Sequence, residues 1–195
     1  GEGKYYSKEI GVNYPEARKE ENLEKGIFDP ICEVSGQVLK LMATDEEAKI
    51  QPTSIDGITK QNQEQMGMIS CAANGIAASA LRYQNVYGPG QSLKNPYTGI
   101  LSIFSTSILN GNDINIFEDG LESRDFVYID DVVDATILAL TKDTANGQVF
   151  GIGSGVATSV KEVAEKLIKS YGAKIEVKIT GNYRIGDIRH NYACL

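Results

Sequence analysis

The stretch from Thr158 to Gly172, TSVKEVAEKLIKSYG, leaves a folding chain little freedom. Val160, Val163, Ala164, Leu167 and Ile168 recur at helical spacing and form one apolar stripe. Thr158 or Ser159 offers the side-chain oxygen that caps such a helix. Strand-like runs flank it, QVFGIG (148–153) before and KIEVKIT (174–180) after. The same alternation extends back to residue 53. A helix is expected over 57–74, with Ile58, Met66, Ile69 and Ala73 on one stripe. IAASALRY (76–83) reads as a buried strand, and 97–110 as a helix stopped by Gly111. INIF (114–117) and DFVYI (125–129) read as short strands around EDGLESR. A further helix starts near Asp130 and Asp131, whose charges suit a first turn, and runs to about Lys142. Strands alternating with helices argue for an α/β fold with a mainly parallel, covered sheet plus extra elements.

Residues 1–52 lack that periodicity and carry Pro15, Pro30 and Pro52. So long a stretch without a pattern is expected to be a surface insertion or an ordered excursion. The chain opens on Gly1-Glu2-Gly3 and ends on HNYACL, which reads as an unfinished strand, so both edges look cut. The net charge of -7 argues against nucleic acid or an anionic membrane as the main partner. No apolar run approaches the roughly 18 residues of a membrane span. Cys32, Cys71 and Cys194 have no pair spacing, which suggests reduced thiols and a cytoplasmic protein. His190 is the only histidine, which argues against a His-based metal cluster and a Ser–His nucleophile.

Three stretches carry candidate chemistry. In LRYQNVYGPGQ (81–91), a strand ends in Arg82-Tyr83 and is followed by Asn85. Ligands of open α/β sheets bind off the carboxyl ends of strands, so Asn85 is placed either to donate to a ligand oxygen or to cap the turn. GIGSGVATS (151–159) has Val156 where a dinucleotide loop needs its third glycine, and reads as a tight strand-to-helix turn. In TSIDGITK (53–60), Asp56 and Lys60 are one helical turn apart on one face. Asp56 is also a natural helix N-cap.

ALRYQNVYGPG, INIFEDGLESRDFVYIDDVVDA, FGIGSG and RIGDIRH together resemble the extended short-chain dehydrogenase/reductases that act on nucleotide sugars, the NAD-dependent epimerases and dehydratases. NPYTGILSIFS and FEDGLESRDF are most similar to the dTDP-L-rhamnose 4-epimerase type. The resemblance implies the C-terminal portion of a Rossmann-type doubly wound sheet plus a smaller mixed α/β substrate-binding domain. Residues 1–83 would be the late part of the Rossmann-type domain with an insertion over about 4–50, and 84–195 mainly the nucleotide-sugar-binding domain.

The resemblance also implies roles. Lys60 would bond the nicotinamide ribose of NAD and lower the pKa of a catalytic tyrosine, whose place Asp56 holds. Asn85 would contact the pyrophosphate, Arg124 and Arg184 would grip phosphates, and Asp187 would accept from ribose hydroxyls. Ile116 and Phe117 would line the base. Tyr83 and Tyr87 would form the site wall, Tyr83 on the cofactor side. Asn85, Arg124 and Arg184 are expected to converge on one diphosphate pocket. The Gly-rich phosphate turn is missing from this sequence, as are most NAD-binding residues. Cys32 has Ser7 and Ser35 where some relatives place metal-binding cysteines, so no metal is expected. The implied activity is nucleotide-sugar epimerisation or dehydration at C4, with a possible homodimer through helix 57–74. A non-catalytic nucleotide-sugar-binding paralogue and a structural subunit are the alternatives.

Overall fold

The computed structural model describes residues 2–93 and 99–195. The first two positions of the expected helix 97–110, and the start of NPYTGILSIFS, lie outside the described residues. The α/β expectation holds. Three strand pairs are parallel: β4 (Ala80–Tyr83) with β9 (Val149–Ile152), β5 (Asn85–Tyr87) with β8 (Phe126–Tyr128), and β6 (Ile114–Ile116) with β11 (Val177–Ile179). A short antiparallel pair joins β7 (Ser123–Arg124) to β10 (Thr158–Ser159).

Helix α5 (Val160–Tyr171) forms as its pattern dictates. The Ser159 hydroxyl accepts from the Glu162 amide at 3.1 Å, and Gly172 ends the helix in the left-handed conformation, φ 62°. Its stripe packs on β6 and on α3 (Ile100–Leu109), where Phe104, Ile108, Ile114, Ile116, Val160, Val163 and Ala164 make the main core. Helix α4 (Ile129–Thr141) follows β8 directly.

Helix α2 departs from expectation. It spans Ile55–Ala73 and buries none of its residues, and Ile58, Met66 and Ile69 face outward. The residues turned toward β4 are instead Gly57, Lys60, Gln61, Glu64, Gly67, Met68 and Cys71, which line a wide cleft. The cap is the Ser54 hydroxyl, accepting from the Gly57 amide at 3.1 Å, so Asp56 sits within the first turn and is not the N-cap. The strand expected over 76–83 is shorter and only half-buried. Strand pairing resumes at once in β5, because the Asn85 amide donates to the Asp125 carbonyl.

Residues 2–52 are far from patternless. β1 (Tyr5–Ser7) pairs antiparallel with β2 (Gly11–Asn13) and β3 (Lys40–Leu41), and α1 (Glu20–Leu23) follows β2. Tyr5, Cys32 and Leu39 make a small second core. Three-residue strands are too short to show an alternation, which is why the sequence hid them. The tail is not a strand either. Ala193 is buried and forms an isolated bridge to Thr44.

Candidate functional site

The implied residues fall on several elements: Lys60 on α2, Tyr83 at the end of β4, Asn85 and Tyr87 on β5, Ile116 at the end of β6, Arg124 on β7, and Arg184 and Asp187 in the stretch 182–190. The Thr53 hydroxyl donates to the Gly186 carbonyl at 3.1 Å, tying the start of α2 to the Arg184–Asp187 turn. Arg124, on β7, donates Nη2 to the Ile188 carbonyl at 2.8 Å, and Nη1 to the carbonyls of Ser123 and Arg189. Burial lowers the pKa of its guanidinium, while the charges of Asp187, Glu122 and Glu2 oppose that. Arg184 is exposed and lies over the Phe117 ring, 5.2 Å from its centroid, a cation–π contact. Asp187 is exposed.

The remaining positions are more dispersed. Asn85 lines a cavity of about 250 Å³ with Tyr87, Gln91, Ile100 and Phe126, and neither Arg124 nor Arg184 lines it. Arg124 is instead taken up by tail carbonyls, so the three side chains are joined through backbone rather than in one described pocket. The Ile116 side chain is in the main core, and its carbonyl accepts from the Thr180 amide and hydroxyl. Tyr87 packs edge-on against Tyr128 at 5.5 Å. Lys60 and Tyr83 line the larger cleft of about 1010 Å³ between α2, residues 44–50 and β4. Lys60 Nζ reaches the Gln63 side chain at 3.5 Å, and the Tyr83 hydroxyl contacts that of Thr136 at 2.9 Å. Asp56 is exposed and does not line the cleft.

Sequence reading missed the strongest electrostatic feature. Arg189 is completely buried. It donates to Asp29, Glu118 and Asp119 at 2.7–2.9 Å, with Glu122 at 3.7 Å. Burial alone would favour its neutral form, yet the hydrogen-bonded carboxylates of Asp119 and Asp29 hold its pKa above the usual range. Arg18 joins the cluster, donating to Glu118 at 2.8 Å. Burial, chiefly, with the Glu118 charge, pushes the Glu122 carboxyl up to about 7, against the pull of Arg189 and Arg124. The only sequence signal was an arginine beside the lone histidine in IRH.

That histidine is the middle member of a Ser–His–Asp chain. Ser123 Oγ is 2.9 Å from His190 Nδ1, and His190 Nε2 is 3.4 Å from Asp29 Oδ1. Ser123 is buried, and none of the three lines either cavity, so the chain is a structural bridge rather than a nucleophile. The GIGSG turn is likewise built by a residue sequence reading passed over. The fully buried Asp125 accepts from the Ser154 amide and hydroxyl and from the amides of Gly155 and Ala193. Beside Cys32, the Ser7 hydroxyl lies 3.7 Å from the thiol. Among the described residues no cluster of three or more potential metal ligands occurs, and no helix is long and apolar enough to cross a membrane.

The model of the NAD dependent epimerase/dehydratase family matches residues 17–153. A dTDP-L-rhamnose 4-epimerase of Burkholderia thailandensis is 39% identical over 97% of this chain and 51% of its own length. Among solved structures, the UDP-glucose 4-epimerase of Thermotoga maritima, with UDP-glucose, is 34% identical, with a TM-score of 0.74 over 82% of this chain and 50% of that one. The Thermus thermophilus UDP-glucose 4-epimerase in complex with NAD is 25% identical, with a TM-score of 0.72 over 90% of this chain and 58% of that one. The chain thus spans about half the length of the relatives it matches. Its fold corresponds to part of their Rossmann-like structure. On the matched residues, the parallel pairs and the shared motifs, this chain belongs to the NAD dependent epimerase/dehydratase family.

Proposed function

We propose that the chain supplies the nucleotide-sugar-binding part of an NAD-dependent 4-epimerase acting on a dTDP-6-deoxyhexose. On this reading residues 1–83 carry the late Rossmann-type elements with the insertion, and 84–195 mainly bind the nucleotide sugar. The observation that carries it is the tie between the start of α2 and the Arg184–Asp187 turn, through Thr53 and Gly186. It brings the element bearing Lys60 to the turn bearing Arg184 and Asp187. Arg184 and Phe117 offer a base and phosphate a stacked cation and ring. Asp187 would accept from ribose hydroxyls, Asn85 would donate to a phosphate oxygen, and Arg124 would add positive potential from behind the turn. Ile116 supports Phe117 from the core.

The residues present fit only one end of NAD. Lys60 and Tyr83, on the wall of the large cleft, suit a nicotinamide ribose, whereas no Gly-rich turn for its pyrophosphate occurs among the described residues. When bound, NAD supplies the acceptor for hydride from sugar C4. In this chain Lys60 would orient the ribose, and a proton acceptor for the C4 hydroxyl is still required. Asp56 is a poor one, because it is exposed and shorter than a tyrosine. That favours a second reading, a binding paralogue without turnover.

Titration calorimetry of the chain with a dTDP-sugar is the test. Saturable heat supports both readings, and no heat from folded protein overturns both. Asp56→Tyr in a full-length protein bearing this chain then separates them: a rise in turnover supports the enzyme, and no gain supports the binding paralogue. A homodimer through α2 and a cytoplasmic location complete the proposal; the outward stripe of Ile58, Met66 and Ile69 supports the former and three free thiols the latter.

A further inference from the structure

Arg18 lies in the segment that sequence alone marks as an insertion, yet it reaches residues far along the chain. Its Nη2 donates to the Asp187 carbonyl at 2.7 Å, and its Nη1 to Glu118 Oε1 at 2.8 Å and more weakly to the Phe28 carbonyl at 3.4 Å. Its Nε lies 3.3 Å from Glu2 Oε1. The side chain is 6% exposed, so these partners satisfy most of a desolvated guanidinium.

The partners matter because of where they sit. Glu118 has φ 49°, the one positive value at a non-glycine among the described residues. Such backbone is unfavourable and persists only where its surroundings enforce it. Here the Glu118 amide donates to the Asn182 carbonyl at 2.7 Å, and its carboxylate is held between Arg18 and Arg189. Glu118 directly follows Phe117, so its backbone sets the direction of the ring on which Arg184 lies. On the other side, Arg18 holds the carbonyl of Asp187, whose amide donates to the Arg184 carbonyl. One planar fork therefore braces both halves of the Phe117–Arg184–Asp187 wall.

We infer that Arg18 is a positioning residue for the nucleoside diphosphate, bridging Glu118 and the Asp187 carbonyl so that Phe117, Arg184 and Asp187 keep one arrangement. The inference rests on the nucleotide-sugar reading. Lysine cannot take its place, since a single ammonium lacks the fork that spans two acceptors.

The test is titration calorimetry of the whole chain with dTDP and with UDP, alongside thermal unfolding, for wild type, Arg18→Lys and Arg18→Gln. Arg18→Lys keeps the charge and guards against loss of folding in Arg18→Gln. The expected result is a loss of affinity of about tenfold in folded Arg18→Lys, for both nucleotides, with faster amide exchange at 182–187 and unchanged exchange in α5. Folded Arg18→Lys that binds within about twofold of wild type, or exchanges at 182–187 as wild type does, overturns the inference alone. Wild type that binds neither nucleotide overturns the nucleotide reading and the inference with it.

Discussion

The carboxylate of Asp125 fills the space beside Gly153 that a side chain would need: a Cβ there would lie 2.5 Å from Oδ2. It would also lie 2.8 Å from the Ala193 Cβ and 2.9 Å from the Gln84 side chain. Asp125 cannot retreat, because four hydrogen bonds from Ser154, Gly155 and Ala193 hold it. Gly153→Ala is therefore expected to cost about 1–3 kcal/mol, the scale of overpacking. Chemical denaturation should show a lower midpoint with an unchanged slope.

Arg189 is expected to be far more sensitive than its surface-like sequence context suggests. Arg189→Met removes the shared cation from Asp29, Glu118 and Asp119 and leaves their charges unbalanced. Breaking a buried ion cluster from one side costs about 3–5 kcal/mol. Arg189→Lys should rescue little, because a compact ammonium lacks the planar fork whose Nε, Nη1 and Nη2 reach the separate carboxylates. Circular dichroism on heating checks both.

Glu122 gives the cluster a pH dependence of definite sign. Its carboxyl is pushed from 4.5 up to about 7, so the folded chain keeps a proton that the unfolded chain releases. Its stabilising contribution is present in full below the unfolded value and is lost as pH rises through about 7. Glu122→Gln mimics the protonated form. It should leave stability near that of wild type at acidic pH and raise it above neutrality, by on the order of 1–3 kcal/mol. Melting curves in acidic and mildly alkaline buffer decide this. A variant that gains equally in both would refute the linkage.

The outward stripe of α2 yields a prediction about assembly. Ile58, Met66 and Ile69 are 47%, 64% and 70% exposed. If they meet a second copy, Ile69→Glu should convert a dimer to a monomer in sedimentation at micromolar concentration. Wild type that sediments as a monomer removes this interface.

How much could be read in advance depended on the range of the forces involved. α5 was legible residue by residue, because its cap, stripe and terminal Gly172 are local signals. The parallel pairing followed from the strand and helix alternation. α2 was misread in its face: its apolar stripe predicts burial, and the structure turns that stripe outward. The sheet of β1, β2 and β3 was illegible, since its strands are two or three residues long and its core is three side chains from distant positions. The motif residues of the site could be named. What each one touches could not, because Arg124 finds its partners 64 and 65 residues away. Arg189 reads as one more charged residue until the fold surrounds it with carboxylates.

The carboxylate of Glu2 accepts from the amide of Arg189 across 187 positions. A chain emerging from the ribosome carries Asp29, Glu118, Asp119 and Glu122 before the cation they share, Arg189, is synthesised. Contacts at such separation are slow to form. The carboxylates around Arg189 must therefore wait for that side chain before they can close on it, so this cluster is expected to assemble late in folding, in a window open to competition from chaperones and proteases.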